Sequence, residues 1–283
     1  MEYGLLFLST LFGSGTNITV GFYNKKGKNA YLFGFISALI SVLFFSVVAK
    51  FSFDFQWVAF WYAIGFGICY TCAMLFSIFA IKYGSVSLTS LVMSYSLVIP
   101  TVFAIFAYGE FPSWSFYIGV ILLVISLFFV GVPREKGESY INLMWILMVF
   151  IAFLGNGGCS LLQTHYQRLS GGLHRSEFMI IGNLLYLSVC IIAAIICRKH
   201  ETTETAKSAL IYGSLNGIST SALNYLIMVL VGLMSASLVY PLYSSISVII
   251  SILACRLFFK EKPDRLTLCG IVTGIISIIF LNI

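Results

Sequence analysis

Few side chains in this sequence are equipped for chemistry. Cys69-Tyr70-Thr71-Cys72 has the spacing of a redox pair or of half a metal site, and His165 is the one titratable residue near the interior of an apolar run. Small thiols among hydrophobic neighbours pack as apolar groups, so the seven cysteines predict neither a disulfide nor a metal site. No Ser-His-Asp set, no paired carboxylates and no Gly-x-x-x-x-Gly-Lys-Ser/Thr run is present. An enzyme is not expected, and no cofactor is expected either.

What remains is neutral polar chemistry in helical register. Tyr240, Ser244, Ser247 and Ser251 fall at spacings of 4, 3 and 4, as do Asn156, Ser160, Gln163 and Gln167. Asn216, Thr220 and Asn224 form a third stripe, Ser87, Ser90, Ser94 and Thr101 a fourth, and Gly13 and Asn17 a short fifth. Two readings stay open. Small residues and hydroxyls let apolar helices approach closely, whereas amides such as Gln163, Asn216 and Asn224 need partners that a wet cavity supplies. Tyr70, Tyr95, Tyr240 and Tyr243 add a hydroxyl to an apolar ring, a combination that binds a flat or amphipathic solute by stacking and a directed hydrogen bond. With Asn17, His165 and Ser244 these residues are the candidate substrate-binding set. Pro100 and Pro241 interrupt two helical runs, freeing backbone carbonyls and marking candidate hinge or gating points.

The elements that must position these groups follow from composition. The 283 residues are 60% hydrophobic and 9% charged, far below the charge an aqueous surface needs, so the chain belongs in a bilayer. A span takes roughly 20 apolar residues, and the apolar runs predict ten helices, over 3–23, 30–49, 56–81, 85–108, 114–132, 141–166, 177–197, 208–230, 234–258 and 265–282. No length remains for a soluble domain. Trp57, Trp61, Tyr62, Trp114 and Trp145 lie near predicted helix starts, where aromatic residues form interfacial belts. Lys and Arg are retained on the cytoplasmic side; thirteen of the sixteen fall in the loops after helices 1, 3, 5, 7 and 9. Both termini are therefore expected to be extracytoplasmic, in a multi-pass plasma-membrane protein. The basic residues are scattered over loops and form no nucleic-acid patch.

The chain also repeats itself. At an offset of 151, Glu110-Phe111-Pro112 aligns with Glu261-Lys262-Pro263 and Gly119 with Gly270, and at an offset of 142 Gly13-Ser14-Gly15 parallels Gly155-Asn156-Gly157. Each acid and proline punctuates a helix start. Two copies of five helices, 1–133 and 134–283, make one transmembrane domain, and because five is odd the second copy enters the membrane inverted. The Glu110 loop has no Lys or Arg whereas its counterpart around Glu261 has four, the opposite charge that inversion requires.

With Pro100 and Gly109-Glu110 in the fourth helix, a glycine-bearing fifth helix, and Pro241, Glu261 and Gly270 in the second copy, the sequence resembles the drug/metabolite transporter superfamily, specifically its EamA-like ten-helix branch. The resemblance implies an all-α transporter and leaves the cargo open, since members move amino acids, sugar phosphates, nucleotide sugars, purines or drugs. Small four-helix relatives couple to protons through a glutamate embedded in the first helix, which here holds no acid beyond Glu2. Inverted-repeat transporters bind substrate near the midplane between the copies. The expectation is a permease of a small neutral or zwitterionic metabolite, amino acids and aromatic solutes included, working by alternating access between helices 1, 3, 4, 6, 8 and 9. The alternatives are a proton-linked multidrug exporter using His165 or a loop carboxylate that dips inward, and a non-transporting membrane enzyme or scaffold. The expected partners are a small-molecule substrate and the lipid bilayer, with no nucleic acid, the protein being a monomer or a homodimer.

Overall fold

The structure, a computed structural model, describes residues 2–26, 29–54, 56–83, 89, 92–93, 95–109, 113–131, 143–197, 203–259 and 265–282. In hydrocarbon the backbone must satisfy its own hydrogen bonds, and among the described residues this chain does so entirely through helices, with no strand. In order these are α1 (Glu2–Lys26), α2 (Ala30–Val48), α3 (Trp57–Tyr83), α4 (Val98–Tyr108), α5 (Trp114–Gly131), α6 (Leu143–Ser170), α7 (Arg175–Cys197), α8 (Thr203–Leu233), α9 (Ala236–Phe259) and α10 (Arg265–Asn282). Six of them, α1–α3 and α6–α8, are long and apolar enough to cross a membrane. Large side chains such as Phe106, Phe128, Leu143 and Ile196 face outward, as a lipid-facing surface requires. The chain is a multi-pass membrane protein.

Several helices run beyond the apolar stretches that announce them, because the backbone ladder persists into water where side chains turn polar. Thus α1 continues to Lys26, α6 to Ser170, and α8 begins at Thr203. Within the fourth helical run of 85–108, which Pro100 is expected to interrupt, the structure corrects the position of the break. A turn at Ser96 and Leu97 precedes α4, which starts at Val98. Pro100 is the cause: it has no N–H to return to the Ser96 carbonyl and its ring crowds that oxygen. The freed carbonyl accepts instead from the Ile99 N–H at 3.1 Å, and Ser96 N–H donates to Met93 O at 3.2 Å. At its other end α4 stops at Gly109, whose φ of 64° is left-handed. Trp145 is a second correction. It is buried rather than placed in an interfacial belt, and its indole donates to Thr89 Oγ1 at 3.0 Å. Trp57, Trp61 and Trp114 are exposed. The acid–proline pairs Glu110–Pro112 and Glu261–Pro263, the serines Ser87, Ser90 and Ser94, and the 133/134 boundary lie outside the described residues.

Most of the larger interfaces between helices follow a pairing rule, to which the α9–α10 contact is an exception. The most extensive interfaces are α3 with α6, α5 with α10 and α1 with α8; α2 with α7, α2 with α8, α3 with α7 and α1 with α9 come next, and α4 also packs on α6 and α9. Replacing each helix n by n+5 exchanges α3·α6 with α1·α8, α2·α8 with α3·α7 and α1·α9 with α4·α6, and returns the other three pairs to themselves. At the α5–α10 crossing the rule reaches single atoms. Ser126 Oγ donates to Gly270 O at 2.6 Å, and Ser277 Oγ donates to Gly119 O at 2.7 Å. All four positions obey the 151-residue offset. Both serines are buried, and a bond of this kind contributes about 0.5–1.5 kcal/mol. Ser126→Ala and Ser277→Ala are therefore expected to lower thermal stability by similar amounts, measurable by unfolding of the purified protein.

The glycines of α6 set how closely it approaches its neighbours. A Cβ on Gly155 would meet the backbone of α3 at Cys69 O (2.6 Å) and Ala73 N (2.7 Å), and one on Gly157 would meet Ser96 O at 2.9 Å. Between them Asn156 Nδ2 donates to Ser96 Oγ at 2.7 Å. One tripeptide thus clamps α3 on one side and the interrupted approach to α4 on the other.

Candidate functional site

Four of the five neutral polar stripes converge. α1, α3, α6, α8 and α9, together with Thr89, Met93 and Leu97 ahead of α4, enclose a cavity of about 220 Å³. Its wall includes Asn17, Tyr70, Gln163, Asn216, Asn224, Tyr240, Tyr243 and Ser244, eight of the ten residues singled out from sequence, and no charged side chain among the described residues. The remaining two lie elsewhere. Tyr95 borders a separate crevice, and its hydroxyl donates to Val124 O at 3.2 Å. His165 is turned toward Tyr108, with Nδ1 2.8 Å from the tyrosine hydroxyl.

The wall residues divide by whether their polar atoms are already engaged. Asn216 is committed: its Oδ1 accepts from Ser37 Oγ at 2.9 Å, and its Nδ2 donates to Thr19 Oγ1 at 3.0 Å, tying α8 to α2 and α1. Tyr240 is also engaged, its hydroxyl donating to Ser160 O at 2.8 Å and lying 2.7 Å from Thr164 Oγ1. Tyr70 stacks on Phe66 and meets Tyr186 edge-on, holding its ring as a rigid wall. The Tyr243 hydroxyl lies against Gly13, which has no side chain to displace it.

Other groups remain available. Buried Gln163 donates through Nε2 to Asn224 Oδ1 at 2.9 Å. That bond uses the Asn224 carbonyl and leaves its two N–H groups for a bound molecule. Asn17 is exposed along the cavity. The Ser244 hydroxyl is buried and has no hydrogen-bond partner. An amide donor, an amide exposed to the cavity and a free hydroxyl, set among tyrosine rings, give the cavity a neutral, hydrogen-bonding lining.

The cavity is unequal at its two ends. Its wall extends toward the α1–α2 connection through Val20 and Ser77. At the end that carries the α6–α7 turn, Tyr240 is bound to α6, and beyond it Tyr62, Tyr108 and His165 pack together, Tyr62 and His165 having centroids 5.5 Å apart. The Arg168 guanidinium lies 4.0 Å from the Tyr108 ring centroid, a cation–π contact. Sequence reasoning left Thr16, Ser77 and Thr89 out of the site although all three line it. The register signal was present for Thr16, one residue before Asn17 and three after Gly13.

A second space lies beside the first, between α4, α5 and α9. This crevice of about 290 Å³ is walled mainly by Val98, Val102, Ile105, Phe116, Val120 and Val124, and carries almost no polar surface. Leu97, Tyr240 and Ser244 line both spaces, and Pro241 borders the crevice.

Comparison with known proteins agrees with this architecture. Residues 2–132 match the EamA-like transporter family, which agrees with the drug/metabolite transporter superfamily. One crystal structure of a protein superposes over 100% of this chain and 98% of its own with a TM-score of 0.79 at 12% identity, and so shares the fold. No curated protein matches the sequence.

Proposed function

We propose that this chain, whose first half carries the EamA-like transporter pattern, is a permease for a small neutral or zwitterionic metabolite. On this reading the protein is two inverted five-helix repeats, 1–133 and 134–283, that rock about their interface and expose the cavity to each side in turn. The observation that carries the cargo class is the cavity wall itself: amides, hydroxyls and tyrosine rings from α1, α3, α6, α8 and α9, without a charged side chain among the described residues. Sugar phosphates and nucleotide sugars call for charge-assisted contacts that this wall does not offer. The pairing of helix n with n+5 and the reciprocal Ser126 and Ser277 bonds support the repeat. With both termini outside at the plasma membrane, the end of the cavity lined by Val20 and Ser77 faces the cytoplasm, and Tyr62, Tyr108 and His165 stand on the outer side.

A ligand that binds the folded state raises its thermal stability. The purified chain is expected to be stabilised by at least one solute in a panel of amino acids, nucleobases, sugars and uncharged drugs, and vesicles containing it to take up that solute. Stabilisation only by phosphorylated compounds would refute the cargo class. Uptake that depends on an imposed pH gradient would favour the proton-linked exporter instead.

A further inference from the structure

The apolar crevice between α4, α5 and α9 has no role in handling a purely polar solute. Its outer margin is formed by Val98, Val102, Phe106, Tyr117 and Val124, all exposed on the protein's outward surface, which in a membrane meets acyl chains rather than water. Its inner margin is shared with the polar cavity at Leu97, Tyr240 and Ser244. Apart from the Tyr117 hydroxyl at the outer margin, the polar side chains deeper along its length are engaged: Thr101 Oγ1 donates to Leu97 O at 2.8 Å, Tyr95 to Val124 O, and Tyr240 to Ser160 O. Ser244 is the exception. It is 3% exposed, its hydroxyl has no partner, and it stands where the apolar space meets the polar one.

We propose that the crevice holds the alkyl chain of an amphipathic ligand whose uncharged polar end sits in the cavity and bonds the Ser244 hydroxyl. The chain lies among carbon atoms on every side and makes no hydrogen bond. The head meets the free Ser244 hydroxyl and, further in, the Asn224 N–H groups. Such a ligand reaches the cavity sideways from the bilayer, between α4 and α5, without crossing an aqueous vestibule. This inference rests on the cavity being a transport site and narrows the cargo of that site to molecules with an apolar arm.

The test uses the full chain in nanodiscs of dimyristoyl phosphatidylcholine, irradiated with a 1-decanoylglycerol analogue that carries a diazirine at the end of its chain. Adducts located by peptide mass spectrometry are expected to concentrate on residues 95–124 and 236–244. Val102→Trp and Val124→Trp, which fill the mouth from different helices at lipid-exposed positions, are each expected to reduce them about tenfold. Ser244→Ala is expected to reduce them about fivefold. Adducts spread evenly over the lipid-facing helices, or unchanged in both tryptophan variants, overturn the proposal. A phosphatidylcholine with the same diazirine in its acyl chain is the second arm. If it labels the crevice as strongly, indifferent to Ser244→Ala, the occupant is a resident bilayer lipid and the proposal fails. Stabilisation of the wild-type chain by polar solutes reports separately on the transport reading: if it persists while crevice labelling fails, only the present inference falls.

Discussion

Gly155→Val is expected to abolish recovery of folded protein. The Cβ of any larger residue would lie 2.6 Å from Cys69 O and 2.7 Å from Ala73 N, and both are backbone atoms that no rotamer change can move aside. Where side chains give way, overpacking costs roughly 1–3 kcal/mol. Here α3 itself must retreat along one of the most extensive interfaces of the protein, so the cost belongs at or above the top of that range. Gly4 provides the control, since a Cβ there meets nothing within 4 Å, and Gly4→Ala should be silent. Size-exclusion profiles and thermal unfolding in detergent decide the matter. A monodisperse Gly155→Val protein melting with the wild type would show that α6 does not pack on α3 as described.

Asn224→Leu is expected to stop transport while leaving the protein folded but weakened. Among the described residues it removes the only acceptor within hydrogen-bond distance of the buried Gln163 amide nitrogen, apart from the weak Met179 sulfur at 3.7 Å. An orphaned buried amide costs about 1–3 kcal/mol, whereas replacing both members of such a pair by apolar groups is close to neutral. The double variant Gln163→Leu/Asn224→Leu should therefore regain most of the lost stability and none of the transport. That split separates a binding pair from a packing pair, because a purely structural role would bring transport back together with stability. The measurements are melting temperature and vesicle uptake of whichever solute stabilises the wild type. Wild-type uptake by the double variant would remove Gln163 and Asn224 from the site.

Much of this organisation can be read from residue types and spacing, and the failures have identifiable causes. Helix positions follow from apolar length, since hydrocarbon leaves the backbone no other partner. The helices of the cavity wall follow from polar residues in helical register: Asn156, Ser160 and Gln163 line it together. The offset of 151 already related Gly119 to Gly270, but nothing in composition revealed that Ser126 and Ser277 would bond across to those carbonyls. Pro100 announced a disturbance in the fourth helix. Its extent, a turn at Ser96 and Leu97 held by Asn156, depends on a partner far away in sequence.

Polar residue type alone also cannot distinguish a satisfied group from a free one. Asn216 and Asn224 look alike in the sequence, eight positions apart on one stripe. The first is consumed by Ser37 and Thr19, while the second keeps its N–H groups for the cavity. Tyr95 and His165 were sound candidates by chemistry, and only tertiary packing directs one to Val124 and the other to Tyr108.

The charge-free wall of the cavity carries an electrical consequence. A side chain or ion that crosses the membrane field exchanges about 2.3 kcal/mol per unit charge for every 100 mV, and that work is how a resting potential drives accumulation. No side chain of the described wall carries such a charge, so on the proposed alternating-access reading the field would have nothing there to pull on. On the proposed transport reading, voltage acting on this wall would favour neither orientation of the carrier, and an uncharged cargo would move down its own chemical potential. A permease of the proposed kind would, through this wall, equilibrate an uncharged solute between compartments, as a relief valve whose direction is set by metabolism on either side.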